Sequence, residues 1–205
     1  MAFNIVSAKN HTLESGTHYF LDANIWINIL TAPSKTSYKI KIYISFFEKI
    51  LARNDIKIVV PIILMSEIIN RIIRDVYFLT FAKKNNLEKP NIPLDYFKSV
   101  FRPSQEYIDS FNLIIDEFKS YSTHIEFIND GLGSDISKES IFENIDQHFD
   151  FNDNFYYQLA LARNYKIVTD DKDFWRENVM IITENETLLN KQTKIHIAAQ
   201  SGNKK

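Results

Sequence analysis

The apolar residues of the chain fall into two kinds of stretch. Short continuous runs rich in β-branched and aromatic residues predict buried strands. Longer stretches, in which apolar residues recur every three or four positions, predict helices. The predicted strands cover residues 18–21, 56–60, 125–128, 166–169 and 179–183, and the predicted helices cover residues 35–54, 62–77, 104–121, 137–149 and 154–164.

Because strands and helices alternate, we expect an α/β fold with a parallel sheet that is covered on both faces. Residues 83–103 hold three prolines, which indicates a helical insertion rather than a linker. We expect residues 1–190 to form one domain around this insertion, and the polar residues 191–205 to form a disordered tail. The aromatic stretch 76–101 either packs on the core or binds a partner protein.

The composition excludes several kinds of site. The chain has no cysteine, and therefore no disulfide, thiolate zinc site or cysteine nucleophile. It has only four glycines and no glycine-rich nucleotide-binding pattern. No apolar run approaches the roughly 18 residues that span a bilayer, and residues 1–16 lack the features of a secretion signal. We therefore expect a cytoplasmic protein without a membrane partner.

Four acidic residues are expected at one edge of the predicted sheet. Asp22 directly follows the first predicted strand, and Asp171 follows the strand over 166–169. The carboxyl ends of parallel strands share one edge, and ligands bind there in open α/β sheets. Asp153 stands just before a predicted helix, and Glu67 lies early in the helix that follows the strand over 56–60. Both are expected to face the same edge.

Carboxylates brought together in this way repel one another. At about 4 Å and an effective dielectric constant near 20, one pair of like charges costs roughly 4 kcal/mol. Proton binding, separation of the acids in water, or a bound divalent cation would offset this cost. A site with oxygen ligands alone suits Mg²⁺ or Mn²⁺.

Each of these acids also has a purely structural interpretation. Asp22 would then simply end its strand, and Asp153 would cap its helix, as Asp often does. Glu67 would form an ion pair with Arg71, one helical turn away. The acids of 170–173 would form an ordinary acidic turn.

Four separated segments resemble, in order, the motifs of the PIN-domain ribonucleases. They are FLDANI at 20–25, VP to SEI at 60–68, DFND to LA at 150–160, and IVTDDKDF at 167–174. The resemblance covers about residues 19–81 and 125–183. Small VapC-like toxins of this family are shorter than this chain, and residues 83–103 have no counterpart in them.

The resemblance implies a three-layer α/β/α fold with a central parallel sheet, and hydrolysis of RNA by an activated water with Mg²⁺ or Mn²⁺. It implies Asp22, Glu67, Asp153 and Asp171 as catalytic metal ligands, with Asn24, Thr169 and Asp173 as supporting residues. It also implies the toxin of a toxin–antitoxin pair, with an antitoxin as partner. A homodimer is a further expectation.

The charge balance bears on nucleic-acid binding. The net charge is -2 and the pI is about 6.2, whereas dedicated nucleic-acid binders are usually basic. This low charge counts somewhat against a nucleic-acid partner, but less against a nuclease, because the acidic metal site of a nuclease offsets a local basic rim. Lys172 and Arg71 are the candidates for phosphate contacts, and their alternative interpretation is a solvated face.

Two other functions compete with the nuclease. A PIN fold without catalysis would serve as an RNA- or protein-binding module, although such a protein is expected to lack at least one of the four acids. A phosphatase would usually need a second Asp two residues after the first, where this chain has Asn24.

Overall fold

A computed structural model describes residues 3–31, 37–142 and 150–202, with side chains up to residue 195. Within these residues the strands are β1 (Asn4–Ser7), β2 (His18–Leu21), β3 (Lys57–Pro61), β4 (Ile125–Ile128), β5 (Lys166–Val168) and β6 (Met180–Thr183). They form one sheet in the order β1-β6-β5-β2-β3-β4, and every pairing is parallel.

Helices flank this sheet on both sides. They are α1 (Ala23–Thr31), α2 (Tyr38–Leu51), α3 (Ile62–Ile72), α4 (Phe78–Lys84), α5 (Gln105–Ser120), α6 (Lys138–Phe142), α7 (Phe151–Arg163) and α8 (Glu186–Gly202). Consecutive residues of β2, namely Tyr19, Phe20 and Leu21, are all fully buried. Because successive strand residues point to opposite faces, both faces of the sheet are covered. The predicted three-layer α/β/α fold with a parallel sheet is confirmed.

Two neighbouring strands position the first and last candidate acids. Leu21 of β2 pairs with Val168 of β5, and the backbone N–H of Asp22 donates to the Val168 carbonyl at 2.9 Å. Asp22 and Thr169 therefore lie side by side at the carboxyl edge. The neighbours of β2 are β3 on one side and β5 on the other. Such a change of direction is where open parallel sheets bind ligands.

The structure contains an edge strand that the sequence pattern does not predict. β1 is only four residues long and pairs with β6 alone. A single short run at the start of the chain, without alternation, gives too weak a signal for a strand.

The segment over 83–103, which the sequence predicts to be an insertion, packs on the core. α3, a π-helical turn (Ile73–Tyr77) and α4 form one helical run that ends at Lys84. A second π-helical turn (Phe97–Phe101) follows, and its Phe101 is fully buried. The Phe101 ring lies 5.1 Å from that of Phe81 and 5.5 Å from that of Phe78. Aromatic packing therefore joins this insertion to α4.

The bounds of α8 and α6 bear on two further predictions. The expectation of a disordered tail after residue 190 is wrong as far as Gly202, because α8 continues to that residue. Gln192 of α8 is buried and donates to the Phe3 carbonyl at 3.1 Å, which ties this polar helix to the start of the chain. α6 covers the first part of the helix predicted over 137–149, and residues 143–149 lie outside the described residues. No described helix is long and apolar enough to cross a bilayer.

Candidate metal centre

The Asp22 carboxylate is buried and oriented by three hydrogen bonds. Asp22 lies at the junction of β2 and α1 and is only 6% exposed. Oδ1 accepts from the Ala23 backbone N–H at 2.6 Å. Oδ2 accepts from the Thr169 hydroxyl at 2.7 Å and from the Asn24 amide at 2.5 Å. The structure therefore places Thr169 and Asn24 where supporting residues of Asp22 were expected.

Asn24 and Thr169 also connect this acid to the segment after β5. The Asn24 Oδ1 accepts from the Asp170 backbone N–H at 3.3 Å. The Thr169 hydroxyl accepts from the Asp171 backbone N–H at 3.0 Å. Consequently, the positions of Asp22 and Asp171 depend on one shared set of hydrogen bonds.

Asp171 and Asp173 form a tight turn beside this set of bonds. The Asp171 Oδ1 accepts from the Asp173 backbone N–H at 2.9 Å, which is the pattern of an Asx turn. Asp173 contributes its backbone N–H to this turn, and the residue is exposed. The role of its side chain stays a prediction.

The neighbouring acid Asp170 is occupied differently. Its Oδ1 lies 3.0 Å from the Tyr43 hydroxyl, and its Oδ2 forms an ion pair with the Lys39 ammonium at 2.6 Å. Both carboxylate oxygens of Asp170 are thus engaged by α2. Within the described part of the chain, Asp171 accepts a hydrogen bond through Oδ1 alone. This difference favours Asp171 over Asp170 as a ligand.

Asp153 does not cap its helix. α7 begins at Phe151, three residues before the predicted start, and its N-cap is Asp150. The Asp150 Oδ1 accepts from the Asp153 backbone N–H at 2.9 Å. The capping interpretation of Asp153 is therefore wrong, and its half-buried carboxylate stands in the first helical turn.

Glu67 is held from α7 through one of its oxygens. Its Oε2 accepts from the Tyr156 hydroxyl at 2.8 Å and from the Asn152 amide at 3.1 Å. The expected ion pair also exists, with 3.6 Å between the Arg71 guanidinium and Oε1. Because about half of the Arg71 side chain is exposed, this pair contributes little to stability.

Tyr156 and Asn152 are partners of Glu67 that the sequence does not predict. They flank Asp153 on the first turns of α7, at a spacing that places residues 152 and 156 on one helical face. That spacing was visible in the sequence, but nothing in it says that Glu67 lies opposite this face. Burial and the nearby Glu67 charge raise the pKa of Tyr156, so that its hydroxyl keeps its proton and donates it.

The carboxylates interact electrostatically. Burial raises the pKa of Asp22 to about 6, although its hydrogen bonds act against this, and the charges of Glu67 and Asp171 add to the rise. Burial likewise raises the pKa of Asp153 to about 8. The charges that add to this second rise belong to Asp150, Asp22, Asp171 and Glu67. The four predicted acids therefore lie within electrostatic range of one another.

The donor chemistry of this edge fits a hard divalent cation. All four candidate ligands are carboxylates, and two of them have raised pKa values that a positive charge would lower. Among the residues that the structure describes, no three Asp, Glu, His or Cys side chains are already close enough to hold one ion. The acids thus converge on one edge but remain separated there.

The residues expected to contact nucleic acid are only partly accessible. Lys172 is exposed next to Asp171, and Arg71 lies beside Glu67; phosphate binding by either one stays a prediction. Of the aromatic residues near the motif segments, Trp26 and Tyr156 are buried and therefore not open for stacking on a base. Trp175 is half-buried, and its ring already stacks on Phe3 with 4.2 Å between the centroids.

Comparisons with known proteins add a structural likeness. No family model matches the chain, and no curated protein matches it. Among solved structures, the chain is similar to VapBC2 from Rickettsia felis bound to a DNA fragment from its promoter. The match covers 82% of this chain and 98% of that chain, with 17% sequence identity and a TM-score of 0.46. A likeness of this size carries no conclusion about function.

Proposed function

We propose that the chain is a divalent-metal-dependent endoribonuclease of the PIN-domain type, in which Asp22, Glu67, Asp153 and Asp171 bind Mg²⁺ or Mn²⁺. The observation that carries this proposal is the gathering of these four carboxylates at one sheet edge, where burial, and after it the charges of the neighbouring acids, raises the pKa values of Asp22 and Asp153. A fold does not collect mutually repelling acids at a ligand-binding edge without some compensation, and a bound cation supplies it.

The side chains around the acids orient them for this task. The Thr169 hydroxyl and the Asn24 amide fix the Asp22 carboxylate. The Tyr156 hydroxyl and the Asn152 amide fix one oxygen of Glu67. Such hydrogen bonds to ligands set their orientation and their basicity. When bound, the cation supplies Lewis-acid chemistry that activates water and stabilises charge on a phosphoryl group.

The motifs extend the proposal to a biological role. Because the four motif segments resemble those of VapC-like toxins, we include in the proposal that the protein is the toxin of a toxin–antitoxin pair. Its partner would then be an antitoxin protein, and its substrate a cellular RNA. A homodimer belongs to the same proposal.

Cleavage of a mixed pool of single-stranded RNA tests the enzyme. The wild-type protein is compared with Asp22→Asn and Asp171→Asn in Mg²⁺, in Mn²⁺ and in EDTA. We expect metal-dependent cutting by the wild type and its loss in both variants. The cleavage rate should fall by more than roughly 10- to 100-fold, which is the effect of removing a residue that only hydrogen-bonds to a metal ligand. Asp171→Asn is the milder change, because Oδ1 of the new side chain still accepts from the Asp173 backbone.

Asp170→Asn is the matched control. It removes the adjacent negative charge while keeping an oxygen for the Tyr43 hydroxyl. We expect it to retain most of the cleavage, because Lys39 and Tyr43 already engage Asp170. Equal loss in Asp170→Asn and Asp171→Asn would mean that the effect is not specific to a ligand.

A binding module without catalysis is the second candidate. It is favoured by the separation of the acids, since no three of the described metal-binding side chains are close enough to hold an ion. RNA binding without cutting in either metal, and without any difference between the wild type and Asp22→Asn, would support this module over the nuclease.

A further inference from the structure

A basic pocket lies on the same edge of the sheet, at its β1 side. It has a volume of about 220 Å³ and lies between the end of β1 and the outer face of α2. Its polar lining consists of Lys9, Tyr38, Lys41, Ser45 and Lys49. Three cations and an aromatic ring thus surround one pocket in a chain whose net charge is -2.

The groups of this pocket are accessible. Lys9, Lys41 and Lys49 are exposed, and none of them forms an ion pair within the described part of the chain. Tyr38 is 68% exposed, and the Lys9 ammonium lies 5.8 Å from the centroid of its ring. Most of the Tyr38 side chain is therefore accessible to a base.

Contacts along the sheet edge connect this pocket to the carboxylates. Glu184, after β6, accepts from the Ser7 hydroxyl at 2.6 Å and from the Lys9 backbone N–H at 2.8 Å. Lys39, next to Tyr38, forms the ion pair with Asp170. The order β1-β6-β5-β2 places β1 three strand spacings from β2, the strand that ends before Asp22. This separation within the sheet is roughly 14 Å at about 4.8 Å per spacing.

We propose that this pocket binds single-stranded nucleic acid and leads the strand to the carboxylates. The three lysines contact successive phosphates, and a base stacks on Tyr38. A local positive patch beside an acidic site attracts the polyanion that the acids alone would repel. This inference deepens the proposed nuclease function and rests on it. RNA and DNA both present phosphates and bases, so the chemistry of the pocket is common to them.

Binding of fluorescein-labelled single-stranded RNA and DNA of one short sequence tests the inference. Fluorescence anisotropy is measured in EDTA over a range of salt concentrations, for the wild type and for Lys9→Gln/Lys41→Gln/Lys49→Gln. We expect the triple variant to lower the slope of log affinity against log salt by about 2, since each phosphate contact on a single strand contributes about 0.7.

Two further variants make the result specific. Tyr38→Ala is expected to weaken binding roughly tenfold without changing the salt slope, because stacking is not an ionic contact. The control Lys98→Gln/Lys119→Gln/Lys138→Gln removes the same charge from exposed positions outside the pocket, and is expected to keep the wild-type slope. All of these changes are at the surface, and circular dichroism confirms that the variants are folded.

The outcomes separate this inference from the proposed function. A wild type that does not bind, or equal losses in both triple variants, overturns the inference. Binding that depends on Lys9, Lys41 and Lys49 supports the inference, and the tighter of the two ligands, RNA or DNA, identifies the nucleic acid that the pocket prefers. Cutting that survives unchanged in the pocket variants, together with unchanged binding, rejects the pocket and leaves the nuclease. Binding that depends on the pocket, without any metal-dependent cutting, rejects the nuclease and leaves the pocket.

Discussion

At the scale of single residues, Glu67 is held through one of its two carboxylate oxygens. Tyr156 and Asn152 both donate to Oε2, whereas Oε1 lies 3.6 Å from Arg71. A ligand fixed in this way loses less conformational freedom when it binds a cation, since its orientation already exists in the free protein. Tyr156 and Asn152 are therefore positioning residues for Glu67.

Tyr156→Phe tests this positioning. The buried ring stays and only the hydroxyl is lost, so we expect a folded protein with a higher Mg²⁺ concentration for half-maximal cleavage, by roughly 10- to 100-fold. Tyr157→Phe, the same change on the next residue, is the control, because that hydroxyl donates to the distant Glu177 carbonyl. An unchanged Mg²⁺ requirement in Tyr156→Phe would show that Glu67 does not depend on this bond.

Two of the candidate acids stand just after strands, at the edge where the sequence predicts them. Asp22 and Asp171 follow apolar runs directly, and the edge of a parallel sheet brings such positions together whatever the helices do. The interpretation of Asp153 as a cap failed because the start of α7 was placed three residues late, and helix boundaries are the weakest feature of a sequence pattern. The side chains opposite Glu67 depend on tertiary packing, which periodicity does not contain.

At the scale of elements, Tyr43 connects α2 to the ends of β5 and β6. Its buried hydroxyl accepts from the Glu184 backbone N–H at 2.6 Å and lies within hydrogen-bond distance of the Thr169 carbonyl and the Asp170 carboxylate. Thr169 in turn holds Asp22. The helix α2 therefore supports the candidate metal centre without supplying any of its four acids.

Tyr43→Phe tests the contribution of this hydroxyl. The change leaves the Glu184 N–H and the Thr169 carbonyl without this partner, so we expect the free energy of unfolding to fall by about 1–3 kcal/mol. That corresponds to a fall in Tm of about 2–4 °C for each kcal/mol in a chain of this size. Urea unfolding measures it, with the exposed Tyr38→Phe on the same helix as the control. A loss no larger than that of the control would contradict the supporting role.

Short and polar elements escaped the sequence analysis for physical reasons. β1 is stabilised by pairing with β6 and by contact with α8, not by its own four residues. α8 has a polar composition, yet Leu188 and Gln192 are buried. Tertiary contacts therefore create both elements, whereas the continuous apolar runs of β2 and β3 and the helical period of α3 are patterns strong enough to be recognised alone.

At the scale of the whole molecule, the net charge of -2 hides a separation of charge along one sheet edge. Lysines surround the pocket at the β1 side, and acids gather around β2, β5 and α7. Composition alone reports only the sum of these two regions. The fold arranges them side by side, and this arrangement makes a polyanionic substrate compatible with a chain of low isoelectric point.

The burial of Asp153 among other acids also makes the stability of the metal-free protein depend on pH. The pKa of Asp153 is about 8 in the folded protein, against 3.8 for an ordinary Asp. Between these values the folded state holds a proton that the unfolded state has released, so Asp153 lowers the free energy of unfolding progressively as pH rises. In EDTA, Asp153→Asn should therefore gain stability relative to the wild type from about pH 5 to about pH 8, by on the order of 1–2 kcal/mol after allowance for its partial exposure.

Urea unfolding of both proteins at each pH measures this difference, and taking the difference removes the opposing contribution of His11, whose pKa is lowered by burial. Asp109→Asn, at an exposed position of α5, is the control and should show no such trend. Saturating Mg²⁺ should stabilise the wild type more at the higher pH, because cations bind ionised carboxylates, and should thereby abolish the advantage of Asp153→Asn. A difference between wild type and Asp153→Asn that stays constant with pH would mean that the Asp153 carboxylate is solvated rather than buried beside the other acids, and the electrostatic case for a metal at this edge would lose its main support.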